Sequence, residues 1–112
     1  MRNMSFAMTT EQVKARTKTV TRRFGWWFLK PGDRVQAVVK SMGLKKGQKI
    51  QQLAVIDIVS TRPERLNEIT KKDCTKEGFP EFWPFDFIQM MCKHDSSTYP
   101  SKIVNRIEFK YI

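Results

Sequence analysis

The stretch Arg16-Thr17-Lys18-Thr19-Val20-Thr21-Arg22-Arg23 alternates hydroxyls with cations, and it constrains this chain more than any other segment. Branched Cβ atoms crowd a helix turn but fit a pleated surface, so the Thr and Val residues favour a strand over Lys18 to Arg23. Strict alternation puts Thr17, Thr19, Thr21 and Arg23 on one face and Lys18, Val20 and Arg22 on the other. Hydroxyls supply neutral donors and acceptors, while Lys and Arg supply phosphate contacts. One face can therefore bind while the other packs. The plainer alternative is an edge strand guarded by its charges against pairing with other chains.

Around this segment the chain reads as a mixture of short strands and helices. Residues 3 to 8 suggest a strand, and Thr9-Thr10-Glu11-Gln12 fits the capping box that opens a helix, here through about Arg16. Lys30-Pro31-Gly32-Asp33 is a turn, and Arg34 to Ser41 a strand. Met42 to Lys49 is a Gly-punctuated basic loop carrying Lys45 and Lys46, and Ile50 to Thr61 is a longer strand. Pro63 begins a polar segment; a helix starting at Thr70 to Asp73 ends near Glu77, with Gly78 as the left-handed stop. Pro84 suits a first helical position, and Phe85, Ile88, Met91 and Cys92 recur at helical spacing through about His94. Asp95 to Pro100 is loop, and the alternation over Lys102 to Ile112 makes a final strand. The pattern is α+β, with about five or six strands and two or three helices, compatible with a small partly closed barrel.

At 112 residues, the whole chain is expected to form one domain, residues 1–112. Its net charge of +10 is unevenly spread: residues 1 to 60 hold twelve Lys and Arg against three acids, residues 61 to 112 nine against eight. On a small domain this asymmetry predicts one basic face and a polyanionic partner, since phosphate contacts release counterions. A merely solvated basic surface remains the alternative. No stretch approaches the ~20 apolar residues that span a bilayer, and the first eight residues lack a secretory pattern. A cytoplasmic protein with free thiols at Cys74 and Cys92 is expected. Cys92 and His94 form only a lone C-x-H pair, so no metal site and no cofactor are expected.

Aromatics cluster at Gly25-Trp26-Trp27-Phe28 and, five in nine residues, over Phe79 to Phe87. Rings beside cations suit stacking on unpaired bases, with Trp26 or Trp27 the first to be released from the core. Glu77 stands at a helix end where an acid gains nothing from the helix dipole, which invites a functional role; a solvated carboxylate is the alternative. His94, the only histidine, reads as a surface or helix-end residue rather than a catalytic base. No phosphate-binding or nucleophile-elbow motif occurs.

Taken in order, Lys18 to Arg23, Lys30-Pro31-Gly32-Asp33, Glu77-Gly78-Phe79 and Arg106-Ile107-Glu108-Phe109 resemble the ASCH domain family over nearly the whole chain. The order Thr-Arg-Arg, Gly-Trp, Pro-Gly-Asp, Glu-Gly-Phe-Pro is similar to that of small bacteriophage-encoded ASCH proteins. The resemblance implies a PUA-like β-barrel. The family pattern G-x-K-x-x-T-x-R falls on Lys18, Thr21 and Arg23, with Arg16 in place of its Gly. In the bacterial ASCH enzyme that hydrolyses N(4)-acetylcytidine, a Lys, a Thr and a Glu form the catalytic set, and the resembling positions are Lys18, Thr21 and Glu77.

Three functions follow as expectations. The first is a nucleic-acid-binding module that takes RNA, or an unpaired or modified base, in a basic cleft contacted by Arg16, Lys18, Arg22, Arg23, Trp26, Lys45 and Lys46. The second is an amidohydrolase on an N(4)-acylated cytidine, with Lys18, Thr21 and Glu77 catalytic. The third is a ribonuclease, or a phage factor acting on a host target. Whether the chain is an enzyme stays open, a monomer is the default, and a phage-encoded chain would work in its host's cytoplasm. The hydrolase carries a geometric condition. Residues 18 and 21 face opposite ways on a regular strand, so a shared site needs a bulge or bend near Thr19.

Overall fold

Apolar residues at every second position of Arg34–Val38 and in the first half of Gln52–Arg65 bury one face of a sheet, and that sheet organises the molecule. In a computed structural model, which describes residues 1–112, the strands are β1 (Arg2–Ser5), β2 (Val20–Arg23), β3 (Arg34–Val38), β4 (Gln52–Arg65) and β5 (Ile103–Tyr111). The helices are α1 (Thr10–Lys14), α2 (Lys71–Lys76) and α3 (Pro84–His94). The sheet has the order β1-β3-β4-β5-β2, with β1 parallel to β3 and the other pairs antiparallel. It curls into a half-barrel of α+β class, within the expected range of strands and helices. No helix is long and apolar enough to cross a membrane.

Two cores sit on opposite sides of β5. Ile107 and Phe109 join Met4, Phe6, Val13, Val35 and Ile56 inside the curl. Val104 joins Leu66, Ile69, Cys74 and Phe87 beneath α2 and α3. The final strand is therefore buried on both faces along its middle, and its alternation separates two interiors rather than core from solvent.

Several boundaries differ from the sequence reading. The strand near the N-terminus stops at Ser5, because a 3₁₀ turn over Ala7–Thr9 feeds the first helix. Thr9 then has ψ 29° rather than extended backbone, so its side chain caps nothing and the expected capping box does not form. Helix α1 ends at Lys14, and Arg16 adopts φ +60°. The long strand runs through Pro63 to Arg65. From Ser60 onward β4 pairs only with β5, and a proline on an open edge forfeits no ladder bond. Gly78, at φ +99°, follows α2 as expected, and a Cβ there would stand 2.7 Å from Gln12 Cγ. Only glycine fits both the turn and the close approach of α1.

Candidate functional site

The strand expected over Lys18 to Arg23 begins only at Val20. Before it, the left-handed turn at Arg16 sends the chain back on α1, where the Thr17 amide donates to the Gln12 carbonyl (3.0 Å). The Thr19 amide donates to the Lys76 carbonyl (2.8 Å) at the end of α2. This is the bend that a shared site for residues 18 and 21 requires. Within β2 the expected alternation holds. Thr21 pairs with Ile107 and Arg23 with Asn105, while Val20 pairs with Glu108 and Arg22 with Arg106 on the other face.

Lys18 is brought to Glu77, the residue that closes α2. Its Nζ donates to Glu77 Oε1 (2.6 Å) and to the Glu77 carbonyl (2.9 Å), with both side chains only 3% exposed. Burial pushes the Lys18 ammonium below its ordinary pKa, against the opposing pull of Glu77. The phenol of Tyr111 donates to the Lys18 carbonyl and pins the bend. Burial raises the Tyr111 pKa to about 12, against the nearby Arg16 charge.

Arg22 faces the opposite side of β2 from Thr21 and Arg23, yet it reaches Glu77 and lines the cavity beside it. Its guanidinium donates to Glu64 Oε2 (2.6 Å), Asp73 Oδ2 (2.5 Å) and Glu77 Oε2 (3.1 Å), and its side chain is 1% exposed. Asp73 also accepts two bonds from Arg106 (2.7 and 3.1 Å). Burial disfavours the Asp73 charge, yet Arg106 and Arg22 outweigh it and hold the carboxyl far below the usual range. Arg22 and Arg106 are cross-strand neighbours whose repulsion this carboxylate cancels. Arg22, expected to touch nucleic acid, spends four of its five N–H groups on three carboxylates and is almost wholly buried, which leaves one Nη1 proton without a partner.

Where the edge strands β1 and β2 approach one another, a cavity of about 340 Å³ opens, large enough for one small ligand. Lys18, Thr21, Arg22, Arg23, Glu77 and Asp95 supply its charged and polar lining; Phe6, Phe24, Phe79 and Phe87 supply rings, and Met8, Met90, Met91 and His94 lie among the rest. Arg23 Nη2 donates to the Ser5 carbonyl (2.6 Å), tying the two edges together. Its Nε donates to Thr21 Oγ1 (3.0 Å), and burial lowers its pKa to about 10. No hydrogen bond joins Lys18 to Thr21; the Lys18 ammonium is turned to Glu77.

The other expected contacts stand outside this cavity. Arg16 lies over the Tyr111 ring at 5.0 Å. Trp26 has φ +59°, is half-buried against the main core and Phe28, and accepts from Asn105 through its backbone carbonyl, whereas Phe24 is the ring of this stretch that lines the cavity. Lys45 and Lys46 are exposed on the loop between β3 and β4. Conversely, the sequence reading missed His94 as a lining residue. The signal was present: positions 87, 90, 91 and 94 share one face of a helix of period 3.6.

No family model matches the chain, and no curated protein does. Solved structures do match its fold. A DUF984 protein, EF3133 from Enterococcus faecalis V583, superimposes with TM-score 0.70 at 15% identity, covering 100% of this chain and 76% of its own. The ASCH domain from Lactobacillus crispatus JV V101 gives 0.69 at 12% identity, covering 98% of this chain and 78% of its own. The hypothetical protein PH0355 gives 0.66 at 17% identity, covering 99% and 96%. The fold is that of an ASCH domain, PUA-like and partly closed.

Proposed function

We propose that this protein binds nucleic acid, RNA in the first place, and takes a single unpaired or modified base into the cavity between β1 and β2. The observation that carries this reading is the convergence of Lys18, Thr21, Arg23 and Glu77 with four aromatic rings around a space of nucleoside size. Polar groups of the lining hydrogen-bond a base edge, and its rings stack against the base's face. The charge outside the cavity agrees. The inner cluster of Lys18, Arg22, Arg23 and Arg106 with Glu64, Asp73 and Glu77 is nearly balanced. Seventeen Lys and Arg against eight acids then remain elsewhere, a net +9 free to meet phosphates. The test is binding of single-stranded and duplex RNA of one sequence across a salt series. Tighter binding of the single strand, with affinity falling linearly in log salt, supports the reading; equal or salt-independent binding overturns it.

A second reading rests on the same convergence. With Lys18, Thr21 and Glu77 around one cavity, an amidohydrolase on N(4)-acylated cytidine has its nucleophile, its base and an orienting carboxylate in reach of one ligand. Thr21 Oγ attacks the acyl carbonyl and gives its proton to a neutral Lys18, which passes that proton to the leaving cytosine amine; the neutral Lys18 then takes a proton from the water that attacks the Thr21 ester and returns it to Thr21 Oγ as the acid leaves. This requires Lys18 to turn from Glu77 toward Thr21, and its lowered pKa favours the neutral amine. Incubation with N(4)-acetylcytidine, free and in a short RNA, decides it. Deacetylation that is lost in Thr21→Ala supports the hydrolase, and its absence in the wild type removes it.

A further inference from the structure

Arg23 is the one cation of the cavity that no carboxylate engages. Lys18 is paired with Glu77, and Arg22 with Glu64, Asp73 and Glu77. Arg23 is held instead by neutral groups: the Thr21 hydroxyl, the Ser5 carbonyl and the Phe6 ring, 4.7 Å from the guanidinium. These fix its Nε edge and one proton of Nη2. A guanidinium carries five N–H groups, so both protons of Nη1 and one of Nη2 are unspent. Thr98 Oγ1 is the only fully buried side-chain polar atom without a partner, so Nη1, which has none, is not sealed in the protein, and Arg23 lines the cavity.

Both carboxylate oxygens beside Arg23's wall, those of Glu77, are already used. Glu77 gives one carboxylate oxygen to Lys18 and the other to Arg22. Asp95, the other acid of the lining, follows α3 and accepts from the amide and hydroxyl of Ser97 through Oδ1, which leaves Oδ2 without a partner. Lys18 keeps one N–H, and Thr21 keeps its O–H. Beside Thr21 the wall therefore offers the unspent donors of Lys18 and Arg23 and a cation with no carboxylate partner, and the complement of that part of the wall is an oxygen-rich anion. The planar fork of a preorganised guanidinium fits a phosphate in bidentate fashion, at low cost because the side chain is already held in place.

We propose that Arg23 anchors a phosphate, so that the ligand of this cavity is a nucleotide, free or within a strand, rather than a neutral nucleoside. This rests on the base-binding reading above and narrows its ligand class. Titration of the whole protein with cytidine, cytidine 5′-monophosphate and a short oligoribonucleotide at one ionic strength tests it. The monophosphate is expected to bind about tenfold or more tightly than cytidine, and Arg23→Gln to bring the two within about twofold, with Arg23→Lys between. A monophosphate preferred over the oligomer identifies a free nucleotide as the source of the phosphate, and the reverse identifies a strand. Equal binding of cytidine and its monophosphate by the wild type overturns the proposal while leaving base binding intact. If none of the three binds, the base reading has failed, and inorganic phosphate decides the anion site. A saturable shift of the Arg23 Nε–H resonance supports it; an unmoved resonance overturns it. That measurement uses the wild type and is independent of how the variants fold.

Discussion

Arg22 and Arg23 are neighbours on one four-residue strand and carry the same charge, but the two faces of β2 treat them differently. On one face Arg22 meets three carboxylates contributed by β4, α2 and the end of α2. On the other, Arg23 meets a hydroxyl, a carbonyl and a ring beside an open cavity. Charge alone therefore does not mark a ligand contact; what separates the two is how far each guanidinium is matched by carboxylates. A cation matched by carboxylates holds the fold together, whereas one without such a match is available to a partner.

The sharpest test of this contrast is a pair of variants read by urea denaturation. Arg22→Met leaves Glu64, Asp73 and Glu77 short of a buried partner and is expected to cost about 3–5 kcal/mol. Arg23→Met loses bonds to neutral groups only and should cost about 1–2 kcal/mol. Equal costs would break the comparison. The saturated face also sets the acid limb of stability. The folded pKa of Asp73 is depressed, so its contribution is complete above the ordinary Asp value and is lost as pH falls below about 4. Asp73→Asn, less stable at neutral pH, should show a flatter decline between pH 4 and pH 2 in the same denaturation measurement.

The bend that feeds the open face gives the alkaline counterpart. Tyr111 has a folded pKa raised to about 12, so its stabilisation is full below the ordinary Tyr value near 10 and disappears as pH rises through about 12. Tyr111→Phe is expected to lack that alkaline loss in thermal melts taken across this range. A smaller effect belongs to Arg16, a non-glycine residue at φ +60° in the position where the ASCH pattern has glycine. Arg16→Gly relieves left-handed strain of about 1 kcal/mol, less what its stacking on Tyr111 contributes, and should leave the melting temperature level or slightly raised. Smallest in stability are Lys45→Ala and Lys46→Ala, each within about 0.5 kcal/mol of wild type. If these lysines touch phosphate, each should lower the salt slope of RNA binding by about one.

Much of the fold was legible because it depends on local spacing. The helix from Pro84, the Gly78 stop, the N-cap at Thr70 and the alternation of β5 all follow from residues a few positions apart. The Thr70 hydroxyl does accept from the Asp73 amide (3.1 Å), whereas the equally good pattern at Thr9 fails because a turn from β1 fixes its backbone first. The strand through Pro63 was missed for a related reason: whether proline interrupts a ladder depends on whether a neighbour lies on that side, and local sequence carries no sign of that.

For the site, the sequence determined the residue types and the alternation that separates Arg22 from Arg23, since side chains on a strand point to opposite faces whatever surrounds them. It also supplied a glycine-marked end of α2 that fixes where Glu77 stands. Only the tertiary structure decided which arginine would be neutralised, because Glu64, Asp73 and Glu77 lie 42 to 55 positions away along the chain. It likewise brought Lys18 to the cavity wall beside Glu77 and left Trp26 half-buried against the core, away from the cavity. Burial and partner choice are sums over elements distant in sequence, and those sums exist only once the sheet has curled and the helices have closed on it.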